Sequence, residues 1–336
     1  MFNSLKIFLK LLKNTYISWD KNEPYARSAT IAYYALFSLP SLLIIVVSIA
    51  GYFYGREAVQ GRITGQIVDF IGLDAATAIE NMIESAALSQ DSILAVAFGF
   101  AMLIFGATGV FFQLKVAMNN IWNVAARKTN FFKMVVDRMI SLGMIFVIGL
   151  LLLITLVVST LLQIIADEVG ELFPNITESA VDISNSVLSF LFITTLFALI
   201  FKLLPDIRIK LKTTYTGAAL TAILFLIGKF LISFYFGQSE PASVYGAASS
   251  VVLILLWVYY TCLILFFGAE FTVQYALVKK EKVEPNRYGE PAIYQEMKKL
   301  EQRRVQLKEE KYIVDRLKSY LDIEDEKAKE NDSSET

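Results

Sequence analysis

The chain has 336 residues, of which 55% are hydrophobic and 19% charged, with a mean hydropathy of +0.53 and a net charge of −1. A charged fraction below the ~25% of soluble domains, with long apolar runs, argues against soluble domains and favours one polytopic membrane bundle. The chain has no histidine and one cysteine, Cys262, which excludes the commonest metal ligand, the usual neutral-pH proton shuttle and an intrachain disulfide.

Residues 1–28 predict a basic amphipathic segment at the cytoplasmic face rather than a cleaved signal peptide. Apolar residues recur at three- and four-residue steps with Lys6, Lys10 and Lys13 among them, and no small-residue cleavage pattern follows. Such a helix can lie in the headgroup layer or pack on the protein's own surface, and the sequence leaves both interpretations open.

Six apolar stretches are each about long enough for a helix to cross ~30 Å of hydrocarbon at ~1.5 Å per residue. The predicted fold is therefore all-α: a polytopic membrane protein with six transmembrane helices, amphipathic interfacial helices and a charged cytoplasmic C-terminal tail. Residues 54–92 repeat apolar side chains every four residues and predict two of the interfacial helices. The bundle covers residues 29–276, with spans at about 29–53, 93–112, 139–165, 187–204, 217–236 and 251–271.

Lysine and arginine are distributed unequally between the two sides of this predicted bundle. The amino-terminal segment, the loops after the second and fourth spans, and the tail are rich in both, whereas the opposite side carries only Arg56 and Arg62. The positive-inside rule therefore predicts that both termini are cytoplasmic and that three connections face outward.

Lys229 is the leading candidate for a binding site because it interrupts an apolar span. Burying a lysine near the bilayer centre costs at least ~2.5–3.5 kcal/mol, so such residues usually face a cavity or a partner. Lys229 is expected either to bind an anionic group, such as a lipid phosphate or a carboxylate, or to snorkel toward the outer headgroups. The other candidate substrate-binding residues lie around a proline kink in the first span or in the outer turn before the last helix: Tyr33, Tyr34, Ser38, Pro40, Tyr245 and Gly246.

A second set of polar and aromatic residues is predicted to have structural or interface roles. Glu270 lies at the cytoplasmic end of the last span, too far along to pair directly with Lys229. We expect it to bond to Arg208, to Lys210 or to the loop that contains Asn119 and Asn120. The complete set is Asn119, Asn120, Trp122, Asp206, Trp257, Tyr260 and Glu270.

The tail, residues 277–336, is charged and predicted to be helical from about residue 290, with disorder in its last dozen residues. Its apolar row at seven-residue steps, Leu300, Leu307, Val314 and Leu321, is accompanied by the charged residues Arg304, Lys311 and Lys318. A coiled coil needs apolar residues at both positions, so a solvated helix is favoured over a dimer zipper. Interleaved acidic residues and few free aromatic side chains disfavour nucleic-acid binding.

Several patches, taken in order, resemble the YihY/BrkB family of bacterial inner-membrane proteins over roughly residues 5–280. The resemblance implies a bacterial cytoplasmic (inner) membrane location and a family without a settled activity. Some members carry an older label as ribonuclease BN, others are linked with virulence or envelope function, and transport of lipid-like molecules has been suggested for relatives. The patches are Ala35-Leu36-Phe37-Ser38-Leu39-Pro40, Asn119-Asn120-Ile121-Trp122, Leu204-Pro205-Asp206, Gly228-Lys229, Tyr245-Gly246-Ala247, Leu256-Trp257-Val258-Tyr259-Tyr260 and Gly268-Ala269-Glu270.

Two classes of function follow. The preferred one is a transporter or flippase-like protein for a lipid or another amphipathic anion; the alternative is a non-transporting membrane scaffold or envelope-assembly partner. A ribonuclease is disfavoured because histidine, clustered cytosolic carboxylates with metal spacing and a phosphate-cradling glycine loop are lacking in the sequence. We therefore expect no enzyme activity, no catalytic residue, no metal and no cofactor. The expected partners are membrane lipids and an envelope protein, not a nucleic acid.

Overall fold

A computed structural model describes residues 2–38, 77, 106, 109–126, 143, 154, 158, 174–239 and 249–334, and these are mostly helical. The chain forms two compact units, Met1–Gly289 and Glu290–Thr336. The predicted spans 29–53, 93–112 and 139–165 and the predicted helices of 54–92 lie largely outside the described residues. The helices are α1 (Phe2–Lys21), α2 (24–38), α3 (109–121), α4 (Pro174–Leu203), α5 (Leu211–Ser239), α6 (Ser249–Val278) and α7 (Ala292–Ser334); the strands are β1 (Val124–Ala126), β2 (Ile207–Arg208), β3 (Glu284–Pro285) and β4 (Gly289–Pro291).

Three helices of the described chain are long and apolar enough to cross a membrane: α4, α5 and α6. Each is longer than the apolar run that predicts it, because backbone hydrogen bonding continues into flanking polar residues; α5, for example, starts at Leu211 and not at residue 217. Its exposed apolar side chains follow one stripe, from Ile223 and Ile227 through Phe230 to Phe234. A stripe at this spacing is one face of a helix, as expected for contact with lipid.

Helix α5 packs against both α4 and α6, and a row of aromatic rings joins the three. Phe197 of α4 meets Phe225 of α5 at 5.8 Å between ring centroids, and Phe225 meets Trp257 of α6 at 6.2 Å. Both contacts are edge-to-face, the arrangement that aromatic quadrupoles favour. Trp257 is thus a packing residue between the second and third of these helices.

The close approach of α5 and α6 depends on a reciprocal glycine–threonine pattern. A Cβ added to Gly217 would collide with Thr272, and a Cβ added to Gly268 would collide with Thr221. Each threonine also donates its hydroxyl to a glycine carbonyl four residues earlier in its own helix, Thr221 to Gly217 and Thr272 to Gly268, both at 2.7 Å. The two antiparallel helices therefore interlock twice, which resembles the small-residue packing of membrane helices.

Helix α1 packs along α6 rather than standing alone. Leu11 and Thr15 are buried, and the indole Nε1–H of Trp19 donates to the carbonyl oxygen of Leu263 at 3.3 Å. The Trp19 ring also meets Phe267 at 6.0 Å between centroids. Of the two interpretations left open for residues 1–28, packing on the protein's own surface therefore describes one face of α1.

A short elbow, residues 204–210, connects α4 to α5 and pairs with the chain that follows α6. Within it β2 runs antiparallel to β3, with Ile207 opposite Pro285 and Arg208 opposite Glu284. The ammonium of Lys202 donates to the carbonyl oxygen of Ile209 across the elbow. The elbow is thus held both by its own side chain and by a strand from beyond the last span.

Helix α7 forms the second unit. Its described side chains from residue 296 to residue 317 are all exposed, including Leu300, Leu307 and Val314 of the seven-residue row. The helix continues to Ser334, through the residues whose composition predicts disorder.

Candidate functional site

The described polar residues of the candidate set gather around Asp206, in the elbow between α4 and α5. The Asn119 side chain of α3 donates from Nδ2 to Asp206 Oδ2 at 3.1 Å and accepts from the Asp206 backbone N–H at 2.7 Å. Lys115, one turn earlier on α3, places its Nζ 3.2 Å from Asp206 Oδ1. The Asp206 side chain is only 5% exposed, so its charge is compensated by a neighbouring ammonium and an amide rather than by water.

The Asp206 backbone holds the strand segment that follows α6. Its carbonyl oxygen accepts from the Asn286 N–H at 2.9 Å, and Asn286 Oδ1 in turn accepts from the backbone N–H groups of Tyr288 and Gly289. A Cβ on Gly289 would lie 2.6 Å from the Asp206 carbonyl oxygen, so only glycine permits this approach. Both the side chain and the backbone of Asp206 thus fasten distant parts of the chain.

A second chain of hydrogen bonds starts at Glu270, which is buried in α6. Glu270 Oε1 accepts from Asn22 Nδ2, and the Asn22 carbonyl oxygen accepts from Arg27 Nε at 2.8 Å. With its amide oxygen turned toward Arg27, Asn120 accepts from both terminal nitrogens of that guanidinium, at 2.9 and 3.1 Å. Glu270 therefore reaches the Asn119–Asn120 pair through two intermediates.

These two networks meet because Asn119 and Asn120 are adjacent on α3. We call them together the polar clamp, which consists of Asn22, Arg27, Lys115, Asn119, Asn120, Asp206, Glu270 and Asn286. The expected direct bond from Glu270 to Arg208, Lys210 or the asparagine loop is wrong. Among the described residues, the side-chain amide of Asn22, in the turn after α1, donates to the Glu270 carboxylate instead. Buried polar networks whose groups are hydrogen-bonded make a structure more rigid, so the polar clamp fastens distant parts of the chain together.

Lys229 lies on the interior face of α5. A helix turns about 100° per residue, so Lys229 is about 200° from Ile227 in the exposed stripe and within about 20° of Ala218 and Ala222. Both alanines are fully buried. The Lys229 side chain is half-buried. A lysine therefore shares the face that α5 buries in the bundle, a placement the apolar sequence around it does not reveal.

The position of Lys229 along α5 limits how it can meet water. It lies eighteen residues after the first residue of α5, about 27 Å, and ten residues before the last, about 15 Å. The segment of α5 that is able to cross a membrane ends at Phe234, five residues or about 7.5 Å after Lys229, which is slightly more than the ~6 Å length of the side chain. Its neighbour Gly228 allows the Tyr260 hydroxyl to approach the α5 backbone, which places that phenol one residue away along the helix.

The candidates of the first span divide between packing and exposure. The Tyr34 ring packs onto Gly109, and a Cβ on Gly106 would lie 2.7 Å from the Ser38 Cβ. The Ser38 hydroxyl is buried and donates to the Ala35 carbonyl oxygen at 3.4 Å, whereas Tyr33 is more than half exposed. Pro40, Tyr245 and Gly246 lie outside the described residues. Trp122 is buried, and the residue after it, Asn123, has a φ of 53°.

Sequence reasoning missed several of the residues that complete these contacts. Asn22, Arg27 and Lys115 carry no motif of their own, and nothing in their spacing indicates a partner far along the chain. The glycine–threonine pairs could have been found, because the Gly-x-x-x-Thr spacing occurs in both α5 and α6. Across the residues that the structure describes, no three carboxylate or thiol groups gather as metal ligands would.

Comparison with known proteins identifies the family. The model of the family described as virulence factor BrkB matches residues 16–290. A ribonuclease-like protein of Bacillus subtilis, YfkH, is 21% identical over 83% of this chain and 98% of its own length. UPF0761 membrane proteins of Pseudoalteromonas translucida and Mannheimia succiniciproducens are 25% and 24% identical, each over 76% of this chain and over 81% and 86% of their own lengths. No solved structure matches the chain. The chain therefore belongs to the BrkB family, and it is an integral membrane protein like the UPF0761 relatives.

Proposed function

We propose that the protein moves a lipid or another amphipathic anion across the membrane, as a transporter or flippase-like protein, and that Lys229 binds the anionic group. The observation that carries this proposal is the position of Lys229 on the buried face of α5, in line with Ala218 and Ala222. Ionisable residues inside membrane bundles are costly, and they commonly mark substrate or ion pathways.

The chemistry of the site supports an anion with an apolar part. An ammonium in a region of low dielectric attracts a phosphate or carboxylate more strongly than it does in water. The wall on the same helix is apolar, since Phe225 and the two alanines share the face of Lys229. A headgroup phosphate at Lys229 with acyl chains along apolar helix surfaces satisfies both properties.

The proposal is tested by reconstituting the full chain in liposomes that contain fluorescent phosphatidylglycerol or fluorescent phosphatidylcholine in the inner leaflet. Chemical quenching from outside reports how much of each lipid reaches the outer leaflet. We expect faster appearance of the anionic lipid than in protein-free liposomes, and a smaller gain for the zwitterionic lipid. Equal rates with and without protein for both lipids would contradict a lipid-transport function.

A second candidate function is supported by α7. This helix exposes a row of large apolar side chains, with Leu300 63% and Leu307 58% exposed, which suits the scaffold or envelope-assembly alternative. A photo-crosslinking residue at Leu300 should capture one reproducible protein in native membranes, and the same residue at the exposed Gln302 should not. Identical product patterns from both positions would argue against a scaffold function.

We propose that neither function involves an enzymatic reaction. The ribonuclease-like label belongs to a relative that is 21% identical to this chain. The buried carboxylates Asp206 and Glu270 are engaged by amide groups and are not arranged around an open metal site. RNA cleavage by the purified chain that disappears in an Asp206→Asn or Glu270→Gln variant, with melting temperature unchanged, would overturn this view.

A further inference from the structure

The apolar surface of α1 is wider than the strip that α6 covers. Leu11 and Thr15 are buried against the bundle, whereas Phe8, Leu9 and Tyr16 are 42%, 56% and 55% exposed. Leu9 and Tyr16 are seven residues apart and share one direction, about 120° from Thr15 around the helix. The packing of α1 on α6 therefore fixes its rotation and leaves a second apolar face uncovered.

A basic flank borders this uncovered face. Lys6, Lys10 and Lys13 are all exposed and lie between about 40° and 100° from Leu9, on the side away from Thr15. Around the helix, the order is thus a face that packs on protein, an apolar face, and a basic row of three ammonium groups in which the exposed Ile17 also lies. An apolar face with lysines along its edge suits the boundary between acyl chains and anionic headgroups.

The position of α1 brings this surface to a membrane. Trp19 contacts Leu263 and Phe267, and both lie within the segment of α6 that is able to cross a membrane, Val251–Val278. We propose that the face formed by Leu9 and Tyr16 with Lys6, Lys10 and Lys13 is a lipid-docking surface, selective for anionic phospholipid in the bilayer that α6 crosses. Each lysine near such a surface adds electrostatic attraction to anionic headgroups, and the exposed apolar side chains contribute by burial.

The test uses the full chain in nanodiscs of phosphatidylcholine, with and without phosphatidylglycerol. The single native thiol is removed by Cys262→Ala, and a fluorophore is attached through Leu9→Cys or, as the matched control, through Asn14→Cys, which is exposed beyond the lysines. Quenching by a lipid-borne nitroxide is compared with quenching by aqueous iodide. At Leu9 the lipid-to-iodide ratio should exceed that at Asn14 by at least about threefold when phosphatidylglycerol is present.

Replacing the three lysines by glutamine should lower the Leu9 ratio to the value found in phosphatidylcholine alone, without changing the ratio at Asn14. Two results would overturn the proposal. Equal quenching ratios at Leu9 and Asn14 would mean that the face meets water. A high Leu9 ratio that depends neither on phosphatidylglycerol nor on the lysines would mean that the surface does not select anionic lipid.

Discussion

Asn119 and Asp206 are joined by two hydrogen bonds, although they lie 87 residues apart in the chain. One amide group of Asn119 acts as donor to the carboxylate and as acceptor from the backbone of the same residue. This reciprocal pairing attaches α3 to the elbow between α4 and α5. It makes Asn119 the residue on which the polar clamp depends most directly.

We expect Asn119→Ala to destabilise the protein by about 1–3 kcal/mol, because it leaves the buried Asp206 N–H and one carboxylate oxygen without their partner. Thermal unfolding in detergent micelles measures the change. Asn14→Ala, at an exposed position of α1, is the control and should leave the melting temperature unaltered. A melting temperature for Asn119→Ala equal to that of the control would show that the pairing contributes nothing.

Two lysine–carboxylate pairs allow burial to be separated from distance. The exposed pair, Lys282 with Glu284, is the shorter, at 2.6 Å; its side chains are 88% and 52% exposed. The Lys115–Asp206 pair is longer, at 3.2 Å, but its side chains are 19% and 5% exposed. We expect Lys115→Met to cost about 3 kcal/mol, since it removes an ammonium that compensates a buried carboxylate charge.

Lys282→Met is the matched control, and it should leave the melting temperature unchanged because exposed pairs are screened by water. The hydrogen bond from Lys282, together with its positive charge, lowers the pKa of Glu284. The contribution of this pair to stability is therefore present at neutral pH and is lost as the pH falls through the lowered pKa. A larger loss of stability for Lys282→Met than for Lys115→Met would contradict the importance of burial.

The interlock of α5 and α6 predicts that a glycine within it tolerates alanine less well than Gly143, which lies outside both helices. Gly268→Ala should destabilise by about 1–3 kcal/mol, because the new methyl group collides with Thr221. Gly143→Ala should be neutral or stabilising, since a Cβ there meets no described atom within 4 Å and alanine favours helix over glycine. Adding Thr221→Gly to Gly268→Ala should restore part of the loss. If the double variant is no more stable than Gly268→Ala alone, steric contact is not the cause.

The end of α6 predicts a stabilising substitution. Lys280 has a φ of 52°, and the backbone bonds from Lys280 N to Leu277 O and from Glu281 N to Ala276 O form a Schellman cap. Because a left-handed conformation costs about 1–2 kcal/mol for a residue with a Cβ, Lys280→Gly should raise stability by about 1 kcal/mol. The neighbouring Lys279→Gly, whose backbone needs no positive φ, should not stabilise the protein. Equal effects of the two substitutions on chemical unfolding would exclude this backbone explanation.

The sequence predicts the membrane class and the family, because composition and short patches are local properties of the chain. It also marks α4, α5 and α6 by their apolar runs, although α5 begins six residues before its run, where polar residues continue the helix. It does not predict the polar clamp, since the Asn22–Glu270 contact joins residues 248 apart and no periodicity encodes such a pairing.

The face on which Lys229 lies was equally hidden from the sequence. In a soluble helix polar residues mark the outward side, but lipid-facing and interior sides of a membrane helix are both apolar. Ile227 and Ala222 are therefore both apolar, although one is exposed and the other fully buried. Only the packing of α5 between α4 and α6 separates the two sides and assigns Lys229 to the interior.

The transport rate of fluorescent phosphatidylglycerol in proteoliposomes, compared among Lys229→Ala, Lys229→Arg and wild type, tests the central proposal most directly. Lys212→Ala, which removes an exposed lysine at the start of the same helix, is the control. All variants must first show the wild-type melting temperature. We predict transport by wild type, Lys229→Arg and Lys212→Ala, with at least a tenfold loss, about 1.4 kcal/mol, in Lys229→Ala. Transport by folded Lys229→Ala at the wild-type rate would contradict the assignment of Lys229 as the anion-binding residue.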